Sequence, residues 1–446
     1  MSFTQFGLYF FIFLVTESVI NEKVSIICGV SSVNYIYAIG LMFTALGYLL
    51  FSLLSNISTK RSVIIAESIV LLALIGLTTI NSPYILIACS YLELTALGYT
   101  GGCIHYLLSQ NLGKKNFAVN LGFCSMLGII AQFIAQNIHL TISGIFIVLI
   151  ISTLVLVVIS IKTNKAPEKP CTDLNVFYLS GISINIRTLI YIAAVAIMSV
   201  ILGFQDSIIV AKNAAGELQL FSYVRLFYAA GLLIAGLIAN VRNRIYLPLA
   251  SGCAMMLSVL AISFMGNTTP SYNISMSIMY FYCGFYVMFM TIMFMELGFR
   301  KSNPKFYAGF GRVVRSILTC LVVLFTTLFS NIDVTVYTVL SCILSISLIL
   351  IMALSGILIP EKTIIKEIAV KPPQESIDDK FTKFFDQYSF TPKEQEAFIK
   401  LVTSEMGVQE IADEMNISRR VLQRHIASIY EKTGTKSRVG LLMLFH

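Results

Sequence analysis

The chain has 446 residues, of which 57% are hydrophobic and only 12% charged, with a formal net charge of +8 and a mean hydropathy of +0.83. Soluble domains carry roughly a quarter charged residues, so this composition excludes a wholly soluble protein and requires most of the chain to face lipid. Apolar sequence dominates residues 1–360, whereas 361–446 is rich in Lys, Glu, Asp and Gln, so two different solvents are implied, with the boundary near Pro360.

The chain opens Met1-Ser2-Phe3-Thr4-Gln5 and runs directly into apolar sequence. With neither a basic stretch nor a small-residue cleavage site, this segment is expected to stay as the first membrane helix. A spanning helix needs about 20 mostly apolar residues. On that measure the expected spans are 4–20, 33–55, 62–81, 84–109, 117–138 and 141–161, then 187–209, 220–240, 245–265, 274–298, 306–329 and 334–358. A loop over 162–186 separates two six-helix halves, 1–161 and 187–358.

Basic residues orient these spans. Loops on one side hold thirteen (Lys60, Arg61, Lys114, Lys115, Lys162, Lys165, Lys169, Arg187, Arg242, Arg244, Arg300, Lys301, Lys305), against Lys23 and Lys212 on the other. The positive side is the cytoplasm, so an even number of spans puts both termini on the cytoplasmic side of the cytoplasmic (inner) membrane. The nine cysteines are scattered through apolar runs, with no CxxC pair and no grouping with the four histidines. They read as small buried hydrophobes, and neither metal nor cofactor is expected.

Ser52-Leu53-Leu54-Ser55-Asn56-Ile57-Ser58-Thr59-Lys60-Arg61 follows the second span and Gly236-Leu237-Ile238-Ala239-Asn240-Val241-Arg242-Asn243-Arg244 follows the eighth. Both resemble the GxxxDRxGRR loop of the major facilitator superfamily at the position where that family carries it. The resemblance implies a six-plus-six facilitator-like fold with a ligand cavity between the halves at mid-membrane. Asn56 and Asn240 stand where the family has an acid belonging to its conformational gate, the pattern expected of a sensor that kept the cavity and lost the gate.

Charges within spans are costly, about 2.5–3.5 kcal/mol near a helix centre, and so point to polar cavities. Glu93 lies mid-span in the fourth helix, close to a flexible-looking Gly98-Tyr99-Thr100-Gly101-Gly102 run and His105. Arg225 lies in the eighth span, and Gln132 and Gln136 sit one turn apart in the fifth. Glu93, Gln132 and Arg225 are the candidate ligand-binding residues; the other reading of Glu93 and Arg225 is a structural pair or helix contact. Tyr91, Tyr99, Tyr223 and Tyr228 are candidate pocket walls or plain packing. Glu67, Glu296, Arg312 and Arg315, nearer the cytoplasmic ends, read as snorkelling or structural residues.

Pro360, Pro372 and Pro373 with mixed charges mark a linker over 359–385. The domain over 386–446 then reads as four helices. Thr391-Pro392-Lys393-Glu394 starts the first, with Thr as N-cap; Val408–Met415 forms the second; Asn416-Ile417-Ser418 turns into a third over Arg419–Lys432, ended by Gly434; a fourth runs from about Ser437 to Phe445. Helix, short turn and helix is the unit that places its second helix in the major groove. From Glu394 to Glu414 there are six acids and one base, and from Ser418 to Arg438 six bases and one acid. The positive charge thus gathers on the third helix, as phosphate neutralisation requires.

Phe390-Thr391-Pro392-Lys393-Glu394, Glu410-Ile411-Ala412, Ile417-Ser418, His425, Ile429-Tyr430, Lys432-Thr433-Gly434 and Ser437-Arg438 resemble, at fixed spacing, the LuxR-type DNA-binding domain. Departures are Val421-Leu422-Gln423 for Thr-Val-Lys, Glu405 for Gly, and Gly407 for Ser or Thr. The resemblance implies that Gln423, Arg424 and Ala427 face the groove, where Gln and Arg suit adenine and guanine edges. Ser418, Arg419, Arg420, Ser428, Lys432, Lys436 and Arg438 complete the expected DNA-binding set, mostly on phosphates. The last helix, with Leu441, Leu442 and Leu444, resembles the family's dimerisation helix.

The whole chain therefore reads as an all-α, membrane-embedded LuxR-type transcription regulator. Its expected partners are the bilayer, promoter DNA bound as a dimer, an unnamed small-molecule ligand and RNA polymerase. A transporter with a regulatory DNA-binding tail is the competing reading. An enzyme is not expected, because no nucleophile–base set or phosphate loop is present.

Overall fold

A computed structural model of the protein describes residues 2–54, 59–79, 82–114, 116–138, 141–163, 184–214, 222–244, 246–266, 268–300, 303–328, 334–354, 377–404 and 406–445. Among the described residues every regular element is helical. The chain forms two compact units, Met1–Ile364 and Ile365–His446.

Unit one contains α1 (Ser2–Cys28), α2 (Val30–Leu53), α3 (Thr59–Thr79), α4 (Pro83–Ser109), α5 (Phe117–Asn137) and α6 (Ile142–Thr163), followed by α7 (Ile184–Ala214), α8 (Leu226–Asn240), α9 (Tyr246–Ser263), α10 (Thr269–Arg300), α11 (Pro304–Leu328) and α12 (Val334–Leu354). These are the twelve expected spans, with shifted ends. Helix α1 continues well past residue 20, and α8 begins later than expected, after a 3₁₀ turn over Tyr223–Arg225. The acidic gate position Asn56 falls outside the described residues.

Eleven of the twelve are long and apolar enough to cross a membrane by themselves. Helix α4 is not among them, since Glu93, His105 and a glycine-rich stretch dilute its hydropathy. Its polar residues are buried by neighbouring helices, so packing rather than lipid stabilises it. The glycine run is continuous helix. A Cβ on Gly98 would collide with the Thr44 carbonyl oxygen of α2, and the missing side chain lets the two backbones meet.

The two halves pack alike. In the first, α2 meets α4, α3 meets α4 and α6, and α1 meets α5 and α6; adding six to each number gives pairs also found in the second. Between halves, α2 lies on α11 and α5 on α8, which are again equivalent pairs. A six-plus-six repeat explains this pattern. Helix α10 is the most enclosed, with 89% of its most apolar stretch buried, against 22% for α6 and 28% for α12. The last helix of each half therefore faces lipid.

Unit two contains α13 (Ile377–Tyr388), α14 (Pro392–Thr403), α15 (Val408–Glu414), α16 (Arg419–Thr433) and α17 (Arg438–Phe445). Helix α13 lies largely where a linker was expected. Phe381, Phe384 and Phe385 repeat at helical spacing and enter one core with Phe390, Phe398, Leu401, Ile411, Leu422, Ile429 and Leu441. Phe384 stacks on Phe398 at 4.8 Å and Phe381 on Phe445 at 4.6 Å. The domain is thus the four expected helices with a fifth closing its aromatic side.

Candidate nucleic-acid interface and membrane cavity

Helix α16 starts as expected: the Val421 N–H donates to the Ser418 hydroxyl at 3.4 Å, and Gly434 ends the helix in left-handed conformation at φ 68°. Asn416, at φ 53°, turns the chain between α15 and α16, a conformation its short polar side chain tolerates. At the start of α15 the Gly407 N–H donates to Glu410 Oε2 at 2.7 Å. The side-chain half of a capping box is missing there because Gly407 carries no hydroxyl.

Burial of Leu422 and Ile429 fixes which face of α16 is inside. Arg420, Gln423, Arg424 and Ala427 follow at helical spacing on the outside, all exposed, joined by Ser418 and Arg419 at the first turn and by Lys436 beyond the helix. Among the described residues none of the side chains of Arg419, Arg420, Gln423, Arg424 and Lys436 makes a hydrogen bond or ion pair within the domain. Two arginines in the first helical turn also oppose the macrodipole, at about 0.3–1 kcal/mol each. Their position is unfavourable within the domain and favourable for a polyanion outside it.

Besides Ser418, three further residues of the expected DNA-binding set have internal partners. Ser428 Oγ donates to Glu394 Oε1 at 2.6 Å, while Lys432 Nζ donates to Glu394 Oε2 at 2.7 Å and to the Ser389 carbonyl at 3.0 Å. The same carboxylate accepts from the Thr391 N–H at 2.8 Å and its hydroxyl at 2.9 Å. Burial pushes the Glu394 carboxyl up, but the hydrogen bonds from Lys432, Ser428 and Thr391 outweigh it and hold it at about 2. Arg438 donates from Nε to the Leu401 carbonyl at 2.8 Å, from Nη1 to Met406 O at 2.7 Å, and from Nη2 to Ser404 O. It caps the orphan carbonyls at the end of α14. Ser428 and Lys432 therefore hold α16 against α14, and Arg438 ties the start of α17 to the end of α14. On α17, Leu441 is fully buried, and the outward apolar residues are Val439, Met443 and Leu444.

In the membrane unit the structure brings together two of the three candidate ligand residues. Arg225 donates to Gln132 Oε1 from Nε at 3.3 Å and from Nη2 at 3.2 Å, and from Nη1 to the Tyr280 hydroxyl at 3.5 Å. This joins α5, α8 and α10 across the halves. Arg225 occupies the capping position of α8, not its middle, because the preceding residues form a 3₁₀ turn.

Glu93 does not join them. It is fully buried, with Thr16 of α1 as its polar neighbour, and neither carboxyl oxygen has a partner in hydrogen-bond geometry among the described residues. Half-buried Tyr91 stacks on Phe43 at 4.6 Å, and Tyr99 packs edge-on to Phe51 in the core. Tyr228 is buried while Tyr223 is exposed.

The charges that do gather around Arg225 went unremarked or were read as structural in the sequence. Glu17 of α1 lies within electrostatic reach of Arg315, Arg225 and Arg312, and Asp206 of α7 within reach of Arg315 and Arg225. Tyr37, Tyr228 and Tyr286 surround Arg315. Asp206 is exposed and Glu17, Arg225 and Arg315 are half-buried. Four helices thus bring charged groups within electrostatic reach of one another while each keeps some exposure to solvent. The signal available in sequence was each charge inside an apolar run; partnership between runs was not.

The ends of α5 and α8 meet closely. A Cβ on Gly122 would stand 2.6 Å from the Leu232 carbonyl oxygen, and one on Gly236 2.6 Å from that of Ala118. Asn240 donates from Nδ2 to Asn116 Oδ1 at 3.1 Å. Arg244 pairs with Glu296 and donates to the Leu112 carbonyl at 2.9 Å, tying the second half to the loop after α4.

Residues 388–445 match the family described as bacterial regulatory proteins, luxR family. No curated protein matches the chain. The crystal structure of the nucleoside transporter NupG is similar at a TM-score of 0.49 and 12% identity, over 80% of this chain and 98% of that one. At that level the likeness says nothing of what the cavity binds. The chain is a multi-pass helical membrane protein that carries a LuxR-type helix-turn-helix domain at its C-terminal end.

Proposed function

We propose that the chain is a one-component transcription regulator, in which a small molecule entering the cavity between the six-helix halves changes how α16 engages a promoter. The unpartnered, outward face of Arg420, Gln423, Arg424 and Ala427 carries this reading. Gln423 and Arg424 offer paired hydrogen bonds to base edges, while Arg419, Arg420 and Lys436 neutralise phosphates. Val439, Met443 and Leu444 on α17 supply an apolar strip for pairing two domains on adjacent half-sites. The positive-inside bias supports an inner-membrane location with both ends of the chain in the cytoplasm, where DNA and RNA polymerase are. Regulation here is binding chemistry without an enzymatic step.

The test is Arg424→Ala in a strain carrying a reporter under the regulated promoter. Loss of a base contact of about 1–3 kcal/mol weakens operator binding roughly tenfold to hundredfold, and the reporter should lose its response while membrane levels of the protein stay constant. A variant that still regulates fully would remove the regulator reading. Solute uptake into vesicles that survives Arg424→Ala but fails on removal of the cavity charges would favour the transporter with a regulatory tail.

A further inference from the structure

Within the second half, α7, α9 and α12 enclose a cavity of about 10 Å³, close to the room that one water molecule needs. It lies near the C-terminal ends of α7 and α9 and the N-terminal end of α12. Gln205 lines it from α7, Val259 from α9, and Tyr337, Thr338 and Ser341 from α12. Phe204 stacks on Tyr337 at 5.1 Å and completes an aromatic wall. Gln205 is only 2% exposed; its Oε1 accepts from the Ser258 hydroxyl at 3.0 Å, and its Nε2 has no hydrogen-bond partner among the described residues. Turning the amide end for end would let Nε2 donate to Ser258 and leave the carbonyl oxygen over instead. One end of the amide is therefore unpaired in either orientation. Such a group is strongly unfavourable in apolar surroundings, and lipid offers it no substitute partner. On the α12 side, Thr338 and the buried Ser341 bring hydroxyls, which both donate and accept, to the same cavity.

We propose that this cavity is a binding site for one water molecule, which pairs with the Gln205 amide on α7 and with the Ser341 and Thr338 hydroxyls on α12. Water suits the site in size. It also donates and accepts, so it satisfies the amide whichever end is left over. Three polar groups are the number that a buried water typically engages. Through the Ser258–Gln205 hydrogen bond the water joins α9 as well as α7 to α12. A water-mediated hydrogen bond is nearly as favourable in enthalpy as a direct one, so α12, which faces lipid over most of its surface, gains a polar tie to the rest of its half. This site is independent of the sensor reading.

The experiment is X-ray hydroxyl-radical labelling of the full-length protein in lipid nanodiscs, read by mass spectrometry. Radiolysis makes the radical from water, and a radical born in a closed cavity oxidises the side chains that touch it. Phe204 and Tyr337 on the cavity wall are compared with Phe289 and Tyr282, which are fully buried in α10. The cavity pair should be oxidised several-fold faster than the α10 pair. Gln205→Leu and Ser341→Val each put hydrocarbon into the cavity and remove a hydrogen-bonding partner, so each should bring Phe204 and Tyr337 down to the rate of the α10 pair. Equal oxidation of the two pairs in the wild type would overturn the proposal. So would a fast rate that persists in a folded variant, because it would come from bulk water reaching the wall. If one variant fails to fold, the other carries the comparison, and the wild-type contrast needs neither.

Discussion

At Glu394 a helix cap and a half-exposed ion pair to Lys432 meet in one buried carboxylate. It caps α14 through Thr391 and receives Ser428 and Lys432 from α16, so it sets the angle at which the recognition helix is presented. Its folded value of about 2 lies below its ordinary range. The stability it adds is therefore complete above about pH 4.5 and is lost as pH falls through the folded value. Glu394→Gln should destabilise the fragment 365–446 by about 2 kcal/mol in urea melts at neutral pH. Between about pH 4.5 and 2 the wild type should approach the variant's stability. Equal stability at neutral pH would show the ion pair to be energetically idle. Ser428, Lys432 and Arg438, three residues of the expected DNA-binding set, share one feature: donors near a helix end suit carbonyls and carboxylates inside the domain as well as phosphates outside it.

Helix α13 shows the same ambiguity one level up. Two prolines and mixed charges mark its neighbourhood as linker, yet Phe381, Phe384 and Phe385 form an apolar stripe with no meaning until Phe398 and Phe445 are seen beside it. Truncating a buried phenylalanine costs about 3–5 kcal/mol. Phe384→Ala should therefore remove much of the domain's stability in chemical denaturation, although it lies outside the residues matched to the luxR family. A loss below about 1 kcal/mol would mean that α13 merely rests on the domain. The membrane helices were legible almost throughout, because a 20-residue apolar run admits few structures in lipid. Their ends were less so: Arg225, expected within the eighth span, stands at the start of α8 because a short 3₁₀ turn that hydropathy does not register precedes it.

For the whole molecule, orientation is the decisive property. With the nine native cysteines replaced, Tyr84→Cys at the outer end of α4 should react with a membrane-impermeant maleimide in intact cells, and Gly113→Cys only after lysis. The reverse pattern would place the DNA-binding domain outside. Hydropathy and charge bias along the chain were enough to divide it into a lipid-soluble body and a soluble helix-turn-helix, since both depend on local composition and periodicity. That Gln423, Arg424 and Ala427 face outward together was implied by the resemblance to the LuxR-type domain, and the structure adds Arg420 to that exposed face. The composition of the cavity was decided only by tertiary structure. Glu17, Asp206, Arg225, Arg312 and Arg315 are far apart in sequence, and each alone is a charge in an apolar run. Only the packing of α1, α7, α8 and α11 brings them within reach of one another and leaves Glu93 outside, because electrostatic energy depends on distance in space and not on separation along the chain.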